Sequence, residues 1–318
     1  MAAFPATPQV SSIPGPGGNT GTAATFIPQI WSDEVIAEYE KSLVLANLVK
    51  KMSMKGKKGD VIHVPSPIRG NASVKASATS VTLLADVENE LIINIDQHWE
   101  YSRMIEDITE VQALASLRRF YTSDAGYALA RQADSSLFTL GTQLGDGNGT
   151  SWVHSQSIMP AAAGAEGSTP YVAGGVPATS VFSDGTFRNA LQILDDNDVP
   201  MTGRFFVIPP SLCNSIRGIE RYNSTDFVNN KGTVSGKIGE LYGVDIYTST
   251  NVPVVRAATG ERGALLAHKD AYVLAEQVGV RSQTQYKQEF LSTLYTADRL
   301  FGRACYRPES GVNVVVNN

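Results

Sequence analysis

From Thr109 to Leu144, apolar residues recur every three or four positions: Val111, Leu114, Leu117, Tyr121, Ala125, Leu129, Ala133, Leu137, Leu140 and Leu144. That spacing stacks them on one face of an α-helix. Thr109 and Gln112 have the spacing of a capping box, and Gly145-Asp146-Gly147-Asn148-Gly149 supplies an abrupt stop. No proline interrupts the run. A helix of that length spans about 50 Å, so it predicts an element that crosses the molecule and carries packed layers along one side. The alternative is two helices broken at Thr122-Ser123-Asp124-Ala125-Gly126, where a glycine and cap-prone residues gather.

Before the helix, the chain changes character twice. Residues 1–28 are rich in Pro, Gly, Ser, Thr and Ala and read as an arm that cannot pack alone. Ser32 is placed to cap a helix carrying Ile36, Tyr39, Leu43, Ala46 and Val49, ending in Lys50 and Lys51. From Met52 to Trp99 the period shifts to two. Val61, His63 and Pro65 follow a Gly59-Asp60 turn, and Leu91, Ile93 and Ile95 share one face of a second strand. Between them, residues 66–86 are dominated by Gly, Asn, Ser, Ala and Thr, with Ile68, Val74, Val81, Leu83 and Leu84 the large aliphatic side chains, which predicts a projecting hairpin that orders against another subunit. The second strand is expected to continue through Tyr101 and Met104 into the long helix.

After the glycine stop, residues 145–180 are small and polar and read as a surface excursion. Ser183 then caps a helix through Phe187, Leu191 and Leu194 that stops at Asp195-Asp196-Asn197-Asp198-Val199-Pro200. Arg204 to Ile208 reads as a buried strand, and Pro209-Pro210-Ser211 opens a helix through Leu212 and Ile216. Ile238, Leu241, Val244, Ile246, Leu265 and Leu266 are expected in the core. Residues 282–318 look extended, ending in a hairpin where Pro308-Glu309-Ser310-Gly311 turns into Val312, Val314 and Val316.

Chemistry-bearing motifs are sparse. His63, His98, His154 and His268 sit in unrelated contexts without metal-ligand spacing, and there is no GxSxG elbow or P-loop. Asp195, Asp196 and Asp198 fall where a helix meets a turn and are read as backbone-capping residues, not an acid/base cluster. Asp146, Asn148 and Thr150 alternate as in a calcium loop, but the glutamate of its twelfth position is missing. No catalytic, cofactor-binding or metal residue is therefore assigned. Cys213 and Cys305 are far apart and read as buried thiols in a reducing compartment. No secretory signal or bilayer-spanning run is visible. A net charge of −5 argues against a basic nucleic-acid face, and 18% charged residues fits a chain that hides surface against partners. The one basic run, Lys50, Lys51, Lys55, Lys57 and Lys58, lacks interleaved aromatics and reads as a solvated or partner-facing patch.

The order of arm, helix, long hairpin, long helix, small-residue excursion, compact α+β region and return strands resembles the major capsid protein of tailed bacteriophages. So do segments such as Phe26-Ile27-Pro28-Gln29-Ile30-Trp31, Lys55-Gly56-Lys57-Lys58-Gly59-Asp60, Tyr101-Ser102-Arg103-Met104-Ile105-Glu106-Asp107 and the helix stretch Phe120 to Ala130. The combination carries the resemblance over nearly the whole chain, and no single motif would. The resemblance implies an α+β fold with an N-terminal arm and helix (1–51) and an extended E-loop hairpin (52–98). A peripheral domain (99–181 and 281–318) would be built on the spine helix, and an axial domain (182–280) would pack around hexamer and pentamer axes. The implied function is that of an icosahedral shell subunit around double-stranded DNA, a virion protein assembled in the host cytoplasm, with no enzymatic activity and no cofactor. Its implied partners are other copies of itself as hexamers and pentamers, a separate scaffolding protein, a portal and decoration proteins, with only non-specific DNA contact and no membrane. At the hairpin foot, Lys55, Lys57, Lys58 and Arg69 are expected to meet carboxylates such as Glu106 and Asp107 of a neighbour. A cellular nanocompartment shell of the same fold is the second reading, and an α+β enzyme with a degenerate site is the third.

Overall fold

A computed structural model of the chain describes residues 44–54, 58–67, 72, 74–81, 88–106, 117–162, 164–219 and 237–317. In chain order these form a short helix α1 (Leu45–Leu48) and strands β1 (Lys50–Ser53), β2 (Val61–Pro67), β3 (Glu88–Asn94) and β4 (Gln97–Glu106). The long helix α2 (Leu117–Phe138) follows and tightens into a 3-10 segment at Thr139–Gln143. Then come β5 (Ser157–Pro160), β6 (Ser168–Pro170), α3 (Asp184–Asp196), β7 (Arg204–Ile208) and α4 (Pro210–Gly218). The chain closes with β8 (Lys237–Leu241), β9 (Val244–Thr248), β10 (Val254–Arg256), β11 (Glu261–His268), β12 (Tyr272–Lys287), β13 (Ser292–Cys305) and β14 (Gly311–Val316).

The long helix is continuous through Thr122 to Gly126, so the two-helix alternative is excluded, and its start before Leu117 lies outside the described residues. Ala125, Leu129, Ala133 and Leu137 are buried as their spacing requires, with Ala130 and Phe138 beside them. They pack on a four-stranded sheet ordered β1-β12-β13-β4, in which β1 is parallel to β12 and the other pairs are antiparallel. The small alanines let helix and sheet approach closely, while Leu129, Leu137, Tyr272, Leu274 and Tyr295 fill the interface. Three hydroxyls explain how the helix ends. Ser136 Oγ donates to Ala133 O (2.7 Å), Thr139 Oγ1 to Ser136 O (2.7 Å) and Thr142 Oγ1 to Thr139 O (2.9 Å). A ladder of period three, joined by the Arg303 guanidinium on Ser136 O and Thr139 Oγ1, matches 3-10 rather than α geometry. Gly145, at φ +57°, then turns the chain away.

The second sheet runs β6-β5-β14-β11-β7-β9-β8, with β10 on β11. Its central strand β7 explains why Arg204 to Ile208 reads as an uninterrupted apolar run. Phe205 and Val207 join the core beneath the long helix, whereas Phe206 and Ile208 face α3 and α4 on the other side. Phe187 of α3 meets Phe206 with ring centroids 5.4 Å apart. Ser183 caps α3 by accepting from Thr186 N at 3.3 Å, and Pro210 opens α4 at a position where its missing N–H costs nothing. The acid-rich stop after α3 is structural. Asp195 pairs with buried Arg204 at 2.7 Å, and Arg204 also donates to Val199 O and Pro200 O.

Four expectations need correction. The first helix ends at Leu48, and Lys50 and Lys51 open β1, because parallel pairing of Lys50 with Val273 outweighs local helical preference. Residues 145–180 are not simply a surface excursion: β5 is wholly buried, pairs in parallel with β14 and carries β6 on its other edge. The turn at Pro308–Ser310 forms as predicted, but β13 and β14 lie in different sheets, so it joins layers and makes no hairpin. Leu241 is only partly buried at the edge of its core. The arm, most of the first helix and the Thr109 cap lie outside the described residues.

Candidate inter-subunit surface

The hairpin begins on the face of the four-stranded sheet opposite the long helix. Ile62, Val64, Leu91 and Ile93 alternate inward onto Met52, Val273, Ala275, Ala304 and Tyr306. Strands β2 and β3 pair from Val61↔Asn94 to Pro67↔Glu88. The root is fastened by backbone: Ile95 N donates to Asp60 O (2.8 Å), Met54 N to Glu276 O (2.9 Å) and Gln277 Nε2 to Gly59 O (2.7 Å). Gly302 permits the approach, since a Cβ there would sit 2.5 Å from Asn94 O. Residues 74–81 are exposed, with Val74 fully so and Val81 at 67%.

Of the residues expected at the hairpin foot, Lys55, Lys57, Arg69 and Asp107 lie outside the described residues. Lys58 is exposed beside the root, and Glu106 is half-exposed as the last residue of β4. Asp60 bonds Ile95 just before β4 begins, so Lys58 and Glu106 sit near opposite ends of that strand, about 30 Å apart. They do not meet within one subunit. Lys50 and Lys51 are held by their own chain, Lys50 over the Tyr306 ring at 4.2 Å and Lys51 on Asn47 at 2.8 Å.

Several polar clusters escaped the sequence reading. Asp134, fully buried on the long helix, accepts from Leu45 N at 2.7 Å and Asn251 Nδ2 at 3.1 Å. Burial raises its carboxyl above the ordinary value despite these donors. Tyr101 OH donates to Asp124 at 2.5 Å and accepts from Arg103 Nε at 2.9 Å, joining β4 to the long helix; burial, then Asp124, pushes the phenol up to about 12. Asp298 receives Arg281 Nε at 2.7 Å and lies 3.2 Å from His98 Nε2. Burial alone would raise that carboxyl, but the bonds from Arg281 and His98 outweigh it and hold it low. Buried Glu261 accepts from Tyr171 OH, Val176 N and Thr259 Oγ1, which pins the 171–176 loop to β11. An acid within an alanine-rich helical face was the one available signal for Asp134. The others depend on long-range pairing.

The calcium-like run is a turn: Asn148 Oδ1 accepts from Thr150 N and Ser151 N, and Asp146 Oδ1 from Ser155 N. His63 faces Glu90, and His268 bonds Thr202 O and Asp270 N. Among the described residues only His154 approaches a nucleophile, with Nε2 2.9 Å from Ser157 Oγ. Both are buried, Asn313 Nδ2 shares that nitrogen at 3.1 Å, and no described residue orients Nδ1, so the pair braces the β5–β14 junction. Burial lowers the His154 pKa and favours the neutral ring. Among the described residues no three His, Cys, Asp or Glu side chains gather as a metal site, and no helix is long and apolar enough to cross a membrane.

The architecture is that of solved phage shells. A chain from Mycobacterium phage Che8 superposes with a TM-score of 0.66 at 22% identity, covering 86% of this chain and 90% of that one. The capsid of cyanophage P-SCSP1u gives 0.65 at 18% identity, covering 87% and 89%. The capsid of Ralstonia phage GP4 gives 0.61 at 11% identity, covering 100% and 98%. A search of curated protein sequences finds no match. The profile of the phage capsid protein family matches residues 26–316, nearly the whole length, and the chain belongs to that family as a structural subunit of a phage capsid.

Proposed function

We propose that this subunit closes into an icosahedral shell of hexamers and pentamers around double-stranded DNA, and that its hairpin is the E-loop reaching over a neighbour. The observation that carries this reading is a ladder anchored at its root by Ile62, Val64, Leu91 and Ile93 while residues 74–81 farther along the hairpin, Val74 and Val81 included, are exposed. The long helix with the four-stranded sheet corresponds to the spine and peripheral unit. The eight-stranded sheet with α3 and α4 corresponds to the axial unit, and pairing groups β5, β6 and β14 with it. At the foot, Lys55, Lys57, Lys58 and Arg69 meet Glu106 and Asp107 across the subunit boundary. Lys58 and Glu106, near opposite ends of a strand about 30 Å long, do not pair within one subunit, which supports a contact between copies.

A net charge of −5 supports only glancing contact with packaged DNA. Scaffolding is supplied by a separate protein, and a portal and decoration proteins complete a particle assembled in the host cytoplasm. A purely structural role fits the polar clusters, each of which is spent on fastening strands and loops. The phage capsid family match favours a viral shell over a cellular nanocompartment. Electron microscopy of the purified chain and of native particles tests the proposal. Closed shells with hexameric and pentameric units support it, and a chain that stays monomeric in every buffer and is absent from particles overturns it.

A further inference from the structure

Asn313 of β14 ties the end of the long helix to the second sheet. Its amide nitrogen donates to Gly141 O at 2.8 Å and lies 3.1 Å from His154 Nε2. A carbonyl can only accept, so Asn313 has to present its NH2 group to Gly141, which leaves the second N–H for the imidazole. Ser157 Oγ, on β5, reaches the same ring nitrogen at 2.9 Å. Nε2 is therefore an acceptor. The neutral ring then carries its proton on Nδ1, which is buried with no partner among the described residues.

The ring occupies a junction of three elements, and each offers it a neutral group. The 3-10 segment supplies Gly141, β5 supplies Ser157 and β14 supplies Asn313, all buried around His154, itself 8% exposed. Backbone bonds cross the same point: Ser157 N donates to His154 O at 3.0 Å, Asn313 N to Gln156 O at 2.9 Å and Gly145 N to Pro308 O at 2.9 Å. Burial disfavours the charged ring. It outweighs the opposing pulls of the Gly141 carbonyl and of Asp146, the charged group that acts on the ring from the exposed turn before it.

A second proton would add an N–H at Nε2, facing the N–H of Asn313. Two donors 3.1 Å apart repel, and Asn313 cannot turn its amide over without giving up Gly141 O. That carbonyl is already taken. We propose that His154 is a proton-operated catch: neutral, it holds the 145–156 turn between β5 and β14, and protonated, it lets go of Asn313 and frees the turn at the end of the long helix. The catch lies within one subunit and does not depend on assembly. Because the folded ring takes up its proton less readily than a free one, the hold is complete above the ordinary value of 6.5 and is lost as pH falls below it.

Amide exchange of the full chain, followed by mass spectrometry and corrected for the intrinsic effect of pH, reads the catch. Between pH 7 and pH 5 the segments holding Gly145, Ser157 and Asn313 exchange about fivefold faster in wild type. His154→Gln keeps an acceptor oxygen and has no proton to gain, so its exchange there is the same at both pH values. Nitrogen NMR of the wild-type ring shows the proton on Nδ1 at pH 7 and a titration midpoint below 6.5. A proton on Nε2 at pH 7, or a midpoint at or above 6.5, overturns the proposal. So does wild-type exchange that is equal at the two pH values, or an acceleration that His154→Gln shares. Should His154→Gln give no soluble chain, the wild-type titration and exchange decide between these outcomes without it.

Discussion

Asp134, near the C-terminal end of the long helix, accepts the backbone amide of Leu45 at 2.7 Å across 89 residues of sequence. It therefore does for α1 what an N-cap side chain normally does locally, and fastens the segment entering the four-stranded sheet to the helix beneath. Asp134→Ala leaves buried amides without an acceptor, at an expected cost of about 2–4 kcal/mol. Asp134→Asn keeps one acceptor oxygen and removes the charge. Because the folded carboxyl titrates above 3.8, its charged form costs more in the folded than in the unfolded chain. Its contribution is thus most favourable below 3.8 and declines as pH rises through the folded value. Urea unfolding of the isolated subunit should show wild type gaining on Asp134→Asn as pH falls from 7 towards 4. A difference that does not change with pH would place the carboxyl at its ordinary value.

Leu129 is 3% exposed against the four-stranded sheet, whereas Arg131, two positions on, faces solvent. Leu129→Asp buries an unpaired charge and should cost several kcal/mol, about enough to make the subunit insoluble. Arg131→Ala should fold with a change within about 0.5 kcal/mol. Similar soluble yields for the two variants would mean that the helix presents another face to the sheet.

The contrast between Asp134 and Leu129 reflects what a linear sequence can carry. Periodicity located Leu129, Leu137 and the alternating Ile93 and Ile95, and local cap chemistry located Ser183 and Pro210, because each signal lies within a few residues of its effect. Strand β5 was missed because Ser157-Ile158-Met159-Pro160 is too short for periodicity, and its partner, with Asn313 beside Ser157, comes from the far end of the chain. Lys50 and Lys51 resemble a helix C-terminus locally and become a strand only because β12 offers an edge. The same holds for the candidate surface. A segment rich in small and polar residues is visible at 66–86, but the root that anchors it, with Ile62, Val64, Leu91 and Ile93 on Val273 and Ala275, exists only once β2 and β3 lie on the four-stranded sheet.

Asp298 behaves oppositely to Asp134. With its folded pKa held below 3.8 by Arg281 and His98 despite burial, it contributes stability that is complete above 3.8 and is lost as pH falls through the lower folded value. Arg281 is largely exposed, so solvent screening limits the effect, and Asp298→Asn is expected to cost about 1 kcal/mol at pH 7. Unfolding curves should keep that difference from pH 7 to about 4.5 and lose it in stronger acid. A cost that grows on acidification would contradict the assignment.

Gly302 lies where β13 passes under the exit of β3, and an added Cβ would meet backbone oxygen, which cannot rotate away. Gly302→Ala is therefore expected to destabilise the subunit by about 1–3 kcal/mol, in the range of an overpacked core position. The strain should appear at the hairpin root, as faster amide exchange at Ile95, which donates to Asp60 O. Unchanged exchange at Ile95 together with unchanged melting would mean that β13 shifts freely and the close approach is not required.

The hairpin separates folding from assembly. Its root buries Ile93 completely and Ile62, Val64 and Leu91 in part, whereas residues 74–81 are exposed and carry only a local bond, Thr79 Oγ1 to Ala76 O at 2.8 Å. Replacing residues 68–87 by Asn-Gly joins β2 to β3 through a two-residue turn suited to an antiparallel pair, with Pro67 still opposite Glu88. The described residues removed, 72 and 74–81, are exposed and take no buried apolar surface from the subunit, and shortening the connection slightly reduces the entropy of closing it. The melting temperature of the isolated subunit is accordingly expected to stay within about 3 °C of wild type, less than the shift of one lost core contact. Shell formation should fail, since the segment removed carries the exposed residues 74–81 that the proposed function assigns to a neighbour. Mixing experiments sharpen the test: the shortened chain added in excess should enter wild-type assemblies poorly. A shortened chain that unfolds would make the tip part of the subunit core, and one that builds normal shells would leave the root alone as the inter-subunit element.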